Sequence, residues 1–124
     1  MIKIVKLVTG EDLIADVFEE YTIKSLSLKE PMKFYLDYRN NNSLVMQHYL
    51  PIQLVKENQI YIKLDKVLGI IDADNEFVEY YTTTIEKINR LLKAKQDIDK
   101  MSDEEIEYII NEFEMENNET GALH

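Results

Sequence analysis

The apolar residues of this chain change their spacing once, near residue 72, which separates a strand-patterned first part from a helical second part. Before that point Val, Ile, Leu and Tyr recur in runs of about five to eight residues broken by turn chemistry. Ile2 to Val8 is the first run, closed by Thr9-Gly10-Glu11-Asp12, where Gly10 supplies a positive φ. Leu13 to Glu19 follows, with Leu13, Ala15 and Val17 on one face and Ile14 and Phe18 on the other. A tight corner at Glu20-Tyr21 leads into Thr22 to Leu28, and Pro31, which has no N–H, interrupts the ladder. Met32, Phe34, Leu36 and Tyr38 alternate with Lys33, Tyr35 and Asp37, a period of two. Arg39-Asn40-Asn41-Asn42 predicts a hairpin turn, because Asn tolerates left-handed backbone angles, and Ser43 to Leu50 returns from it. Gln59 to Leu64 and Lys66 to Ile71 complete the set, joined by a short corner at Asp65. Several of these strands carry apolar residues on both faces, the pattern of a small bent sheet or barrel whose outside is also covered.

Beyond residue 72 the step is helical. Phe77, Tyr81, Ile85, Ile88 and Leu92 form one stripe, with Asp72 or Asp74 placed to cap its start and Glu76 near the positive dipole end. This helix is expected to run to about Lys95. A second is expected from the capping box Ser102-Asp103-Glu104-Glu105, with the stripe Ile106, Ile109, Ile110 and Phe113. Asn117 to His124 has nothing to bury and reads as a flexible tail. The expected organisation is a β-barrel over 1–72, a helical extension over 73–116 and a tail over 117–124.

Composition narrows the chemistry. The 124 residues are 45% hydrophobic, enough for one domain with a modest core. The absence of cysteine removes disulfides, thiolate metal sites and a cysteine nucleophile together. No apolar stretch approaches the ~18 residues of a membrane span. The opening residues lack a charged-then-apolar leader pattern, so the cytoplasm is the expected compartment. The net charge of −10 is uneven: residues 1–72 hold 9 basic and 10 acidic side chains, residues 73–124 hold 5 and 14. The strand region is therefore close to neutral, and the overall acidity does not exclude a nucleic acid as its partner.

Sites for catalysis and metals do not assemble from this sequence. His48 and His124, the only histidines, are too far apart to make a local ligand pair, and His48 fits a packed strand position between Met46 and Leu50. Asp72-Ala73-Asp74-Asn75-Glu76 begins like a calcium loop, but Phe77 stands where the turn glycine belongs and Thr83 where the bidentate glutamate belongs. Asp97 and Asp99 fail similarly at Met101. Gly10, Gly69 and Gly121 build no phosphate loop or nucleophile elbow. Asp16, Glu19 and Glu20 have no spacing that separates them from strand-edge solvation. The expectation is a protein that is not an enzyme and takes no metal or cofactor. Lys3, Lys6, Lys24, Lys29, Lys33, Lys63 and Lys66, interleaved with Tyr21, Tyr35 and Tyr61, are a mixture suited to single-stranded nucleic acid, since lysines neutralise phosphates and rings stack on bases. The same residues also suit the solvent face of ordinary strands.

Element order adds a resemblance. Val5-Lys6-Leu7-Val8-Thr9-Gly10-Glu11-Asp12-Leu13-Ile14-Ala15-Asp16-Val17 resembles the opening of the first Sm motif, with Gly10 as its turn glycine and Ala15 where a second glycine is preferred. Thr22 to Leu28 resembles the strand that follows, and Lys63-Leu64-Asp65-Lys66-Val67-Leu68-Gly69-Ile70 resembles the second Sm motif. Over about residues 2–85 the chain thus resembles the Sm-like (LSm, Hfq-like) proteins, most of all the small Sm-like proteins of marine phages. Glu20-Tyr21-Thr22-Ile23 stands in place of the family's Asp-x-x-Asn nucleotide pocket, and Leu64-Asp65 in place of its Arg-Gly pair.

The resemblance implies a mainly β fold, a strongly bent antiparallel Sm-like barrel followed by two α-helices. It further implies a homo-oligomeric ring closed by edge-strand pairing, with single-stranded RNA held around the pore. Tyr21 would stack on a base, and Lys24, Lys63 and Lys66 would meet phosphates. The acidic C-terminal helices would compete with RNA for these lysines or receive a protein partner. The competing expectation is a ring-shaped protein-interaction scaffold that binds no RNA.

Overall fold

The computed structural model describes residues 1–98 and Asn111. Its compact units are Met1–Thr83 and Thr84–His124. The first holds six strands, β1 (Ile2–Leu7), β2 (Asp12–Glu20), β3 (Ser25–Asp37), β4 (Ser43–His48), β5 (Gln59–Lys63) and β6 (Val67–Asp72), and the start of α1 (Asn75–Ile98). In the second unit the described part is the continuation of α1 to Ile98, together with Asn111. Apart from Asn111, the second helix expected from Ser102 lies outside the described residues, as does the tail over 117–124.

All ladders are antiparallel, in the order β4-β3-β2-β1-β6, with β5 also on β3. The expected barrel is not closed. β5 pairs with the first half of β3 and β6 with β1, and no ladder joins β5 to β6. A single 3₁₀ turn, Leu64–Lys66, redirects the chain between them, so the two strands leave for different partners instead of forming a hairpin.

The long strand β3 explains the apolar residues on both faces. Ser25 to Leu28 and Met32 to Asp37, parts of two runs expected as separate strands, are one strand that passes through Pro31, while Thr22 to Lys24 belong to the corner before it and Tyr38 to the turn after it. Ile14 faces Met32 and Asp16 faces Lys29, so Glu30 and Pro31 together oppose Ala15 alone, a β-bulge. Glu30 takes φ 53°, and Pro31 needs no ladder donor here. The extra residue shifts the phase of the strand. Leu26 and Leu28 face the inner core with Val5, Leu7, Leu13, Ala15 and Ile62. Met32 and Phe34, also even-numbered, fall on the opposite face with Ile4 and Ile14. There Phe34 meets Phe77 of α1 edge-to-face, ring centroids 4.9 Å apart.

The bulge is held from three sides. Glu30 N–H donates to Asn58 C=O at 2.8 Å, Tyr49 N–H donates to Pro31 C=O at 3.2 Å, and the buried Tyr81 hydroxyl donates to Glu30 C=O at 2.6 Å. Tyr81 therefore ties the helix to the point where β3 changes phase. The helix begins as its sequence requires, with Asp74 Oδ2 accepting from Glu76 N–H at 3.1 Å. Asp72, the other capping candidate, accepts instead from Lys3. Two further turn expectations hold: Gly10 has φ 93°, and Asn41 and Asn42 have φ 54° and 57°.

Candidate nucleic-acid interface

The four site residues expected from sequence lie on two 3₁₀ corners. Tyr21–Ile23 links β2 to β3 and ends at Lys24, whose left-handed φ of 51° turns the chain back into the sheet. Leu64–Lys66 links β5 to β6. Backbone bonds fix the corners to their neighbours: Leu64 N–H donates to Lys24 C=O at 3.0 Å, and Val8 N–H donates to Lys66 C=O at 3.0 Å. Ser25 and Lys63 are ladder partners, which places Lys24 and Lys63 side by side.

Between the corners lies a recess of about 430 Å³ lined by Ile23, Lys24, Lys63, Leu64 and Asp65. The structure brings Lys24 and Lys63 together in this recess. Tyr21 and Lys66 stand on the same corners, outside its lining. The Tyr21 ring is exposed and its hydroxyl donates to the Glu19 carboxylate. That hydrogen bond, followed by the carboxylate's charge, pushes the phenol above its ordinary pKa. Asp65, Ile23 and Leu64 were not anticipated as lining residues. The acid offsets one lysine charge, while the two aliphatic side chains make part of the recess apolar. Their signal in the sequence was weak, since exposed Ile and Leu at a turn have no distinctive spacing.

The lysines of the strand region divide into two sets. Lys3 is paired with Asp72, Lys6 with Asp12 at 2.8 Å and Lys33 with Glu11 at 3.6 Å. Among the described residues Lys24, Lys29, Lys56, Lys63 and Lys66 form no ion pair. The paired set lies along β1 and the second half of β3, and the unpaired set lies at the corners, in the first half of β3 and, for Lys56, in the connection between β4 and β5. A second recess, of about 440 Å³, opens among Phe34, Leu36, Leu44 and Phe77 on the helix-covered face. It holds no lysine, and its acids Asp74 and Glu76 belong to the helix start.

Among the described residues two buried polar atoms, His48 Nδ1 and Asn58 Oδ1, have no hydrogen-bond partner. Burial lowers the His48 pKa, with the Glu30 charge opposing. Among the described residues no helix is long and apolar enough to cross a membrane. No family model matches the chain, and no curated protein matches it.

Proposed function

We propose that the chain is an Sm-like single-stranded RNA-binding protein, with RNA held at the two 3₁₀ corners by Lys24, Lys63 and Lys66 and a base stacked on Tyr21. The observation that carries this reading is the division of the lysines: those at the corners have no carboxylate partner, while those along β1 and the second half of β3 have one. An ammonium group without an internal partner is available to a phosphate, and neutralising phosphates releases counterions. The corner recess adds an apolar wall, and the exposed Tyr21 ring offers a π-face that any base can use.

In this reading identical copies close a ring through their open strand edges. The free edges of β4 and β6 support it, because β6 presents Leu68, 70% exposed, with Ile70 and Ile71 also exposed. An apolar edge of this kind invites pairing with another chain unless it is covered. A protein-interaction scaffold is the second reading, and the acids Glu19, Glu20 and Asp65 on the same corners favour it by opposing phosphate. The deciding experiment is binding of short A-rich and U-rich RNA at two salt concentrations, with Tyr21→Ala and Lys66→Ala variants. Binding that weakens with salt and is reduced in both variants supports RNA recognition. Absence of binding by the unaltered protein overturns it in favour of the scaffold.

A further inference from the structure

The strand register sets three rows of side chains side by side on the outward face where β2, β3 and β5 run together. Asp16, Lys29 and Gln59 form one row, Phe18, Ser27 and Tyr61 the next, and Glu20, Ser25 and Lys63 the third. Directly paired residues of an antiparallel sheet share a face, so each row crosses the sheet from β2 through β3 to β5. The middle row has an unusual exposure profile. Phe18 is 58% exposed and Tyr61 59%, yet Ser27 between them is 4% exposed. Two large exposed rings therefore flank a small buried side chain.

This arrangement follows from the phase of the strands. Val17, Leu28 and Ile60 point to the inner core, so their neighbours Phe18, Ser27 and Tyr61 must point outward. The ring contact from α1 falls on Phe34, on the other side of the bulge. Single exposed apolar side chains are ordinary on a protein surface. Two aromatics in one row, with an unpaired lysine in the row on either side, are a different feature.

We infer that this face is a stacking platform for a single-stranded nucleic acid, in which Phe18 and Tyr61 each take a base while Lys29 and Lys63 take the flanking phosphates. The inference rests on the RNA reading of the corner site and extends it. Lys63 belongs both to the corner recess and to the third row, so one strand of RNA passes from the corners onto the sheet. The rings sit two strand spacings apart, about 9.5 Å, and each lysine row lies about 6.7 Å from the aromatic row along the strands. The two rings make no aromatic contact with each other, and both are more than half exposed. The rows carry two lysines and two acids, of which Glu20 stands in the row of Lys63 and opposes a phosphate there. Asp16 is held by the N-terminal ammonium at 2.8 Å, whereas Lys29 and Lys63 are unpaired among the described residues. At the floor, Gln59 Nε2 donates to Ser27 Oγ at 2.6 Å, fixing polar groups between the rings.

The test uses the full chain and a fluorescein-labelled dodecamer of uridine, with affinity read by anisotropy at several salt concentrations. The double variant Phe18→Leu, Tyr61→Leu removes both rings and keeps apolar side chains at both positions. Phe18→Tyr, Tyr61→Phe keeps both rings, and circular dichroism melting checks that each variant folds. The leucine variant is expected to bind at least about fivefold more weakly with an unchanged salt slope, because stacking releases no counterions. The ring-retaining variant is expected to bind like the unaltered protein. Lys29→Ala is expected to lower the salt slope by about 0.7. If the leucine variant binds normally while Tyr21→Ala weakens binding, the platform is overturned and the corner site stands. If the unaltered protein binds no RNA, both fall. If the leucine variant changes the assembly mass in light scattering and leaves RNA affinity untouched, the face is a protein interface and the platform is overturned.

Discussion

Replacing Tyr81 by Phe removes one oxygen atom from the place where the helix is tied to the bulge of β3. The ring is 3% exposed, and its hydroxyl donates to Glu30 C=O at 2.6 Å. Phenylalanine fills nearly the same volume, so the perturbation is the lost donor and not a cavity. Losing a buried hydrogen bond to a carbonyl that water cannot readily reach costs about 1–2 kcal/mol. At roughly 4 °C per kcal/mol for a domain of this size, the melting temperature should fall by about 4–8 °C. A pH series gives an independent check. Burial, followed by the charges of Glu30 and Asp16, raises the Tyr81 pKa far above that of an ordinary phenol. A raised pKa means that the folded state keeps its proton while the unfolded chain releases it near pH 10. The hydroxyl's contribution is therefore complete below about pH 10 and lost as pH rises beyond it, by about 1.4 kcal/mol per pH unit. Urea denaturation of the unaltered protein and Tyr81→Phe at pH 8 and pH 11 should show the gap between them closing by about that amount. A Tyr81→Phe protein as stable as the original at pH 8, with parallel behaviour at pH 11, would refute the argument.

Other residues give shorter tests. Glu30 has φ 53°, so Glu30→Val should be less stable than Glu30→Gly by about 1–2 kcal/mol in chemical denaturation, because a β-branched residue resists the left-handed region. Both variants remove the same side chain, so its other interactions cancel. Burial lowers the His48 pKa, and its contribution to stability is present above about pH 6.5 and fades as pH falls. His48→Gln should flatten the stability profile between pH 7 and pH 5.5, as measured by thermal melting. Leu13 is fully buried in the inner core, so Leu13→Ala should cost about 2–5 kcal/mol in the same denaturation assay. On the open edge of β6, Leu68→Lys should lower the assembly mass found by light scattering if copies pair there, with little effect on the melting of the subunit.

The pattern of the sequence revealed most of the strands, because alternation and turn residues are local signals. Gly10, Asn41 and Asn42 marked their turns through backbone angles that few other residues accept. The helix was visible from its stripe, in which Tyr81 and Ile85 are buried. What stayed hidden was the continuity of β3. Pro31 looks like a break when read along the chain, yet a bulge absorbs it once Asn58, Tyr49 and Tyr81 supply partners from distant positions. Closure was misjudged for a related reason, since a three-residue corner at Leu64–Lys66 reads equally well as a hairpin turn or as a change of partner strand. At the candidate site, Lys24 and Lys63 could be nominated individually from the sequence, but their meeting depends on the Ser25–Lys63 pairing. The division of the lysines into paired and unpaired sets was likewise out of reach, because it depends on carboxylates up to 69 positions away.

In the RNA-binding reading the corner lysines without a carboxylate partner, and not the paired ones, meet a nucleic acid. Two triple variants of the full chain compare them directly: Lys24→Ala, Lys63→Ala, Lys66→Ala against Lys3→Ala, Lys6→Ala, Lys33→Ala. The measurement is the slope of log affinity for a single-stranded RNA against log salt concentration. The corner variant should lose about 2 units of slope, at roughly 0.7 per phosphate contact, while the other triple keeps the original slope. Equal slopes in both variants, or no RNA binding by the unaltered protein, would contradict the account.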